Sequence, residues 1–222
     1  MPLRAATATA LLLSLPEGAL AHPHVFIDAA LSLDYADGGA LREVAVEWAY
    51  DEFYSLLIIE DLGLDPDGDG VLTEPEMTAL QGFDAEWEPG FDGRLYLSVD
   101  GAPVALEGPR DFSARYEDGR LVSRHVRPVA QEVGAEAPLR VQVYDPEYYV
   151  QFSLPEPPAI QGAECRVDLR MGDPYAAADA YARAVADALE EDQDASVDQE
   201  LLIVDIGATG ADEARIACGP GA

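Results

Sequence analysis

Three histidines occur in the 222-residue chain, and two of them, His22 and His24, flank a proline just behind a segment with the marks of a secretory signal. Arg4 gives that segment a positive start, Ala5 to Leu15 an apolar stretch, and Ala19-Leu20-Ala21 a small-x-small cleavage site. Cleavage after Ala21 makes His22 the first residue of the mature chain. Its new α-amino group has an intrinsic pKa of about 7.7–8.0, so metal displaces its proton near neutral pH. An amine and two imidazoles within three residues suit zinc, copper or nickel. Pro23 narrows the geometry, because without a backbone N–H it cannot supply the amide nitrogen that a square-planar chelate takes from residue two. The expected chelate is the amine and imidazole of His22, closed by His24 or a distant group. The plain alternative is that His22 begins the mature chain by accident.

A second constellation belongs to a harder cation. Asp65-Pro66-Asp67-Gly68-Asp69-Gly70-Val71-Leu72-Thr73-Glu74-Pro75-Glu76 matches the twelve-residue EF-hand loop at each defining position. Asp65, Asp67 and Asp69 take positions 1, 3 and 5, and Gly70 makes the sharp turn. Val71 offers its carbonyl, Thr73 holds a water, and Glu76 closes the site through both oxygens. Leu72 anchors the loop to the core. Thr73 and Glu76 also form a capping box for the exiting helix, with Pro75 in its first turn. Four carboxylates gathered here call for calcium. No second such loop is present, since Asp192–Asp198 lacks the central glycine and final glutamate. A structural ion is therefore expected rather than a switch.

The elements that must position these residues are mainly strands. From His24 to Tyr35 the chain alternates, with Val25, Ile27, Ala29, Leu31, Leu33 and Tyr35 on one face and His24 and Asp28 on the other. Asp37-Gly38-Gly39 predicts a turn, and Arg42–Tyr50 a second strand. Asp51 to Leu62 shifts to helical spacing, with Phe53, Leu56, Leu57 and Glu60 in register. Asp92-Gly93, Asp100-Gly101 and Asp118-Gly119 punctuate strands at Leu95–Val99 and Leu121–Val126. Further strands are predicted at Leu139–Tyr144, Tyr148–Leu154, Cys165–Met171, Leu201–Ile206 and Ala214–Cys218. Ala176–Glu191 reads as a helix, and the acidic run Glu190–Glu200 as a solvated loop. The fold class is α+β, mainly β: β-sandwich-like sheets with an inserted EF-hand helix-loop-helix and one helix in the C-terminal region. The expected organisation is a signal peptide over 1–21 and a single exported domain over 22–222, the insertion spanning about 51–83.

Charge and cysteines set the surroundings. With 43 acidic and 13 basic residues, none of them lysine, the net charge is −30, and removing Arg4 and Glu17 with the signal leaves it there. Such a surface repels nucleic acid and anionic membranes. The 49% hydrophobic content separates the chain from disordered acidic tails. Adaptation to a salty or acidic-proteome host accounts for most of the charge. Cys165 and Cys218, the only cysteines, predict one disulfide in an oxidising compartment, worth about 2–4 kcal/mol. Two thiolate metal ligands are the weaker reading. No later apolar run reaches the ~20 residues of a membrane span, so no insertion of the mature chain is expected.

Four segments together resemble one family. His22-Pro23-His24-Val25-Phe26-Ile27-Asp28, Trp48-Ala49-Tyr50-Asp51-Glu52-Phe53-Tyr54-Ser55, the acidic loop, and Tyr144-Asp145-Pro146-Glu147-Tyr148-Tyr149-Val150 look like domain of unknown function 1007. The resemblance implies an exported, periplasmic bacterial protein, of a kind described as a component of an uncharacterised ABC-type transport system. Such proteins accompany inner-membrane transporters of the nickel/cobalt type, and some are tied to zinc acquisition. It makes His22 and His24 the natural ligands, with Asp51 and Asp145 as functional carboxylates.

Asp28, Asp51, Asp145 and His125 are the candidates to complete the terminal site. Each has a plainer reading: Asp51 caps the following helix, Asp145 sits in a turn beside Pro146, and His125 is an ordinary strand histidine. The leading expectation is a periplasmic accessory protein holding zinc, or else nickel, cobalt or copper, for an inner-membrane metal transporter. The alternative is a calcium-stabilised interaction module without a transition-metal role. An enzyme is not expected. A copper-binding histidine brace needs a second imidazole, which only His24 or His125 supplies, and no nucleophile elbow, zinc-protease helix or phosphate loop is present.

Overall fold

The computed structural model describes residues 22–191 and 202–219. Residues 1–21, where a signal peptide is expected, most of the acidic run, Leu201 and residues 220–222 lie outside them. Strand β1 (Val25–Tyr35) buries every second residue, as its period-two pattern dictates, and β2 (Leu41–Tyr50) answers with Val44, Val46, Trp48 and Tyr50. The two pair antiparallel from Ile27↔Tyr50 to Tyr35↔Leu41 around the predicted glycine turn.

Two sheets enclose one core. The first joins β5 (Arg110–Glu117), β6 (Arg120–Pro128), β2, β1 and β8 (Val150–Ser153), in that order. A further strand, β9 (Ala159–Gln161), also pairs with β1. Both β8 and β9 run parallel to β1, one along its first half and one along its second. The other sheet orders β10 (Cys165–Arg170), β11 (Glu213–Cys218), β7 (Leu139–Val143), β3 (Leu95–Val99) and β4 (Ala102–Val104). Leu33, Val44, Val46 and Leu121 of the first sheet and Leu139, Val141 and Ile216 of the second belong to the same buried cluster. The α+β, mainly β class follows directly. Cys165 and Cys218 face each other across β10 and β11 and form the disulfide.

Among the described residues three helices sit outside the sheets: α1 (Glu52–Asp61), α2 (Glu74–Leu80) and α3 (Pro174–Glu191). Helix α1 differs from its predicted facing. Ser55 and Ile59 turn inward, while Phe53, Leu56 and Leu57 are exposed. Ser55 wins the inner place because its hydroxyl donates to the Asp51 carbonyl and accepts the Leu121 N–H, tying α1 to β6. The predicted strand at 201–206 is also absent over Leu202–Ile206. There Leu202, Val204 and Ile206 pack with Tyr148, Ala177 and Tyr181, so burial comes from the side of α3 and not from a sheet. Strands β4, β5 and β9 carry no clear alternation and were not predicted. The Asp100-Gly101 and Asp118-Gly119 turns both have positive φ at each residue and close the β3–β4 and β5–β6 hairpins.

Several polar side chains are buried among the described residues, and one of them is a histidine. His125 on β6 is fully buried, edge-on to Trp48 and Trp87 at centroid distances of 5.0 and 5.1 Å, with Phe112 at 5.8 Å. Neither ring nitrogen meets a hydrogen-bond partner among the described residues. Burial, with the cations of Arg127 and Arg124 nearby, pushes its pKa down to about 4. The unfolded chain thus binds the proton first as pH falls, and the native state loses stability between about pH 6.5 and pH 4. The loss attributable to this ring from pH 7 to pH 4.5 is about 2.5 kcal/mol. Urea denaturation at the two values should show His125→Phe losing about that much less than the natural chain.

Candidate functional site

The segment Asp145–Val150, between β7 and β8, is built around one carboxylate. Asp145 Oδ2 accepts the N–H groups of Tyr149 and Val150, both at 3.0 Å, and Oδ1 accepts that of Glu147 at 3.2 Å. Arg94 supplies the counter-charge at 3.0 Å from Oδ1. So held, the loop presents the Tyr149 carbonyl to the N–H of His24 at 2.9 Å and leaves Val150 in register with Val25. It also turns Tyr148 under α3, which buries Ala177 and Tyr181 and packs Ala184, Val185 and Ala188 at helical spacing.

The two histidines meet on this support. Their ring centroids lie 4.5 Å apart, and the His22–Pro23 peptide is cis. Tyr181 of α3 stacks on His22 at 4.6 Å and 18°, and Tyr149 lies 4.9 Å from the His24 ring. His22 is part-buried and His24 exposed. Burial pushes the Tyr148 and Tyr181 phenols up, so both are neutral at physiological pH. Tyr149 falls within the tyrosine-rich motif, but its place beside His24 was not legible there, and neither was that of Tyr181, whose contact with His22 is far longer in range.

Of the other candidates, Asp51, Asp28 and Asp145 have their own hydrogen-bond partners. Asp51 is the N-cap of α1: Oδ1 accepts the Tyr54 N–H at 2.8 Å and Oδ2 the Phe26 N–H at 2.9 Å. Asp28 receives Arg120 at 2.8 Å and the Ser153 hydroxyl at 2.6 Å. Partial burial acts to raise its pKa, but these hydrogen bonds and the Arg120 charge hold it below the usual carboxylate value. His125 lies in the aromatic core, and Asp145 is committed to its loop. Among the described residues, none of these four forms a three-ligand cluster with His22 and His24. Two of them act as supports, Asp51 gripping Phe26 and Asp145 gripping the loop that holds His24.

The acidic loop does form a cluster. One carboxylate oxygen from each of Asp65, Asp67 and Asp69 lies within 4.8 Å of the others. Asp65 accepts the N–H groups of Asp69 and Gly70 at 3.0 Å, and Asp69 that of Val71 at 2.8 Å. A hydrogen bond with Asp65 and the negative charge of Asp69 push Asp67 up, which a divalent cation would reverse. Glu76 is turned onto the Thr73 hydroxyl and N–H at 2.7 Å, completing the capping box. Those bonds, with a further one from the Asp65 N–H, hold its pKa down. Leu64 is buried and Leu72 packs on the core, so the loop is pinned at both ends while Val71 remains exposed. The donor set is all oxygen, as calcium requires.

Fold and site together define a two-sheet β protein that carries a helix–acidic loop–helix insertion and a pair of histidines just before β1. The chain belongs to the DUF1007 family, described as protein of unknown function, which it matches over residues 7–218. No curated protein matches it.

Removing the Asp145 carboxylate leaves three N–H groups without their acceptor and Arg94 with only the more distant carboxylates of Asp92 and Glu147, each at 3.9 Å. Asp145→Ala should cost about 3–5 kcal/mol in denaturant unfolding. Hydrogen exchange should show the amides of His24 and Tyr149 losing protection first.

Proposed function

We propose that this protein is an exported metal-binding accessory factor, stabilised by calcium, that presents a transition metal to an inner-membrane transporter. The observation that carries the reading is the approach of the His22 and His24 imidazoles to 4.5 Å on a support built by Asp51, Asp145 and α3. Processing after Ala21 adds the α-amine of His22 as a third nitrogen donor. Nitrogen donors without thiolate favour zinc, nickel or copper over calcium or magnesium, with zinc the first expectation. The remaining position is left to water or to a group from the transporter, which suits a cargo that must be handed on. Tyr181, stacked on His22, limits how that ring turns. The support of a folded scaffold distinguishes this end from a flexible histidine tail.

Calcium at Asp65, Asp67 and Asp69, with the Val71 carbonyl, Thr73 and Glu76, is read as structural. It relieves the mutual repulsion of the aspartates, and Leu72 carries that gain into the core. A second reading, a calcium-stabilised interaction module with no transition-metal role, is favoured by one observation: this loop is the three-carboxylate cluster of the described residues.

The experiment that separates the two is titration of protein beginning at His22 with zinc and copper, beside His22→Ala. The first reading expects at least a tenfold loss of affinity in the variant, and equal affinities would sink it. In parallel, removing calcium with a chelator should lower the melting temperature by several degrees in the natural chain. The same treatment should leave Asp65→Asn/Asp69→Asn nearly unchanged.

A further inference from the structure

We propose that the outer face of α1 and the cavity beside it form a docking surface for a basic amphipathic helix of a partner protein. The inference stands apart from the terminal metal site. Helix α1 is apolar on nearly every side. Ile59 faces the core, yet Phe53, Leu56 and Leu57 remain 69, 57 and 44% exposed, and Leu62 at its end another 44%. A helix with apolar residues all round is normally covered on more than one side. Beside it opens a cavity of about 550 Å³ whose walls include Tyr50, Tyr54, Leu57, Ile58 and Phe83. Its size and walls suit the side chains that a helix lays into a groove at i, i+3 and i+4.

Charge selects the partner's sign. Glu60 and Asp61 close α1 at the end where its carbonyls already concentrate negative potential, and no basic residue lies in the last turn. Asp61 lines the cavity, and so does Asp84, whose buried Oδ2 has no hydrogen-bond partner among the described residues. Glu52 adds a carboxylate at the other end of the helix. A chain with net charge −30 and no lysine has few cations of its own to offer this rim. Lysine or arginine on a partner helix would offset an arrangement that is unfavourable in the free protein. The same charge opposes an anionic membrane. The surface also leads toward the head of β1, because Asp51 caps α1 and holds Phe26, itself 48% exposed.

The test uses three synthetic 18-residue peptides: a leucine/lysine amphipathic helix, a serine/lysine peptide of equal charge, and a leucine/glutamate helix. Fluorescence titration against the protein should find micromolar binding of the leucine/lysine helix alone. Phe53→Ser/Leu57→Ser, two exposed positions whose change leaves folding intact by circular dichroism, should weaken it at least tenfold. Hydrogen exchange on the natural chain should place the peptide's protection over residues 52–62. Equal binding of the serine/lysine peptide, undiminished binding by the variant, or protection confined to the Asp65–Glu76 loop overturns the proposal. So does binding to phosphatidylcholine/phosphatidylglycerol vesicles that the double substitution abolishes, which would assign the patch to lipid.

Discussion

A carboxylate taken out of water has to be satisfied on every side, and Asp145 meets that demand by organising its neighbours. Its side chain is 2% exposed, and its two oxygens collect three backbone N–H groups and the Arg94 guanidinium. The geometry of those bonds fixes the path from Tyr144 to Val150. That path in turn decides where β8 meets β1, where Tyr148 supports α3, and which carbonyl receives the His24 N–H. The imidazole pair is therefore the last link of a chain of constraints that starts at one buried charge.

The same solution recurs across the molecule, and composition explains why. With 43 acidic residues against 13 basic ones, guanidinium groups cannot neutralise most carboxylates. The remaining ones stay in water or find backbone donors. Asp51 takes the Phe26 and Tyr54 N–H groups, Asp212 those of Leu154 and Gly172, and Asp173 those of Tyr175 and Ala176 at the start of α3. These aspartates sit where the chain changes direction, so an acidic composition is turned to fastening loops and helix ends. The Asp65–Asp69 cluster follows the same pattern, with Asp65 taking the Asp69 and Gly70 N–H groups and Asp69 that of Val71.

What the sequence revealed follows from the range of the forces involved. The β1–β2 hairpin was legible because alternation and a glycine turn are local and agree. The acidic loop and its capping box were legible because spacing alone defines them, and the Asp51 cap was visible as one of two readings. The facing of α1 was not, since Ser55 takes the inner side through bonds to Asp51 and Leu121 that no local pattern encodes. Residues 202–206 are apolar enough to read as a strand, but Leu202, Val204 and Ile206 pack against Tyr148 and Tyr181 instead. Arg94 gave no sign of its role, because its partner lies about 50 residues on. Sequence thus showed the histidines and the loop, while their supports appeared only in three dimensions.

The parallel pairing of β1 with β8 and β9 has a bearing on how the molecule is assembled. The opening strand finds one neighbour nearby in β2, but its other edge stays unpaired until residues 150–161 have been made. Loop closure over such a separation is slow compared with hairpin formation. The start of β1 is consequently among the last parts to acquire its native surroundings, and a chain cut short before α3 would keep Tyr149 beside the histidines but lack the Tyr181 ring that stacks on His22.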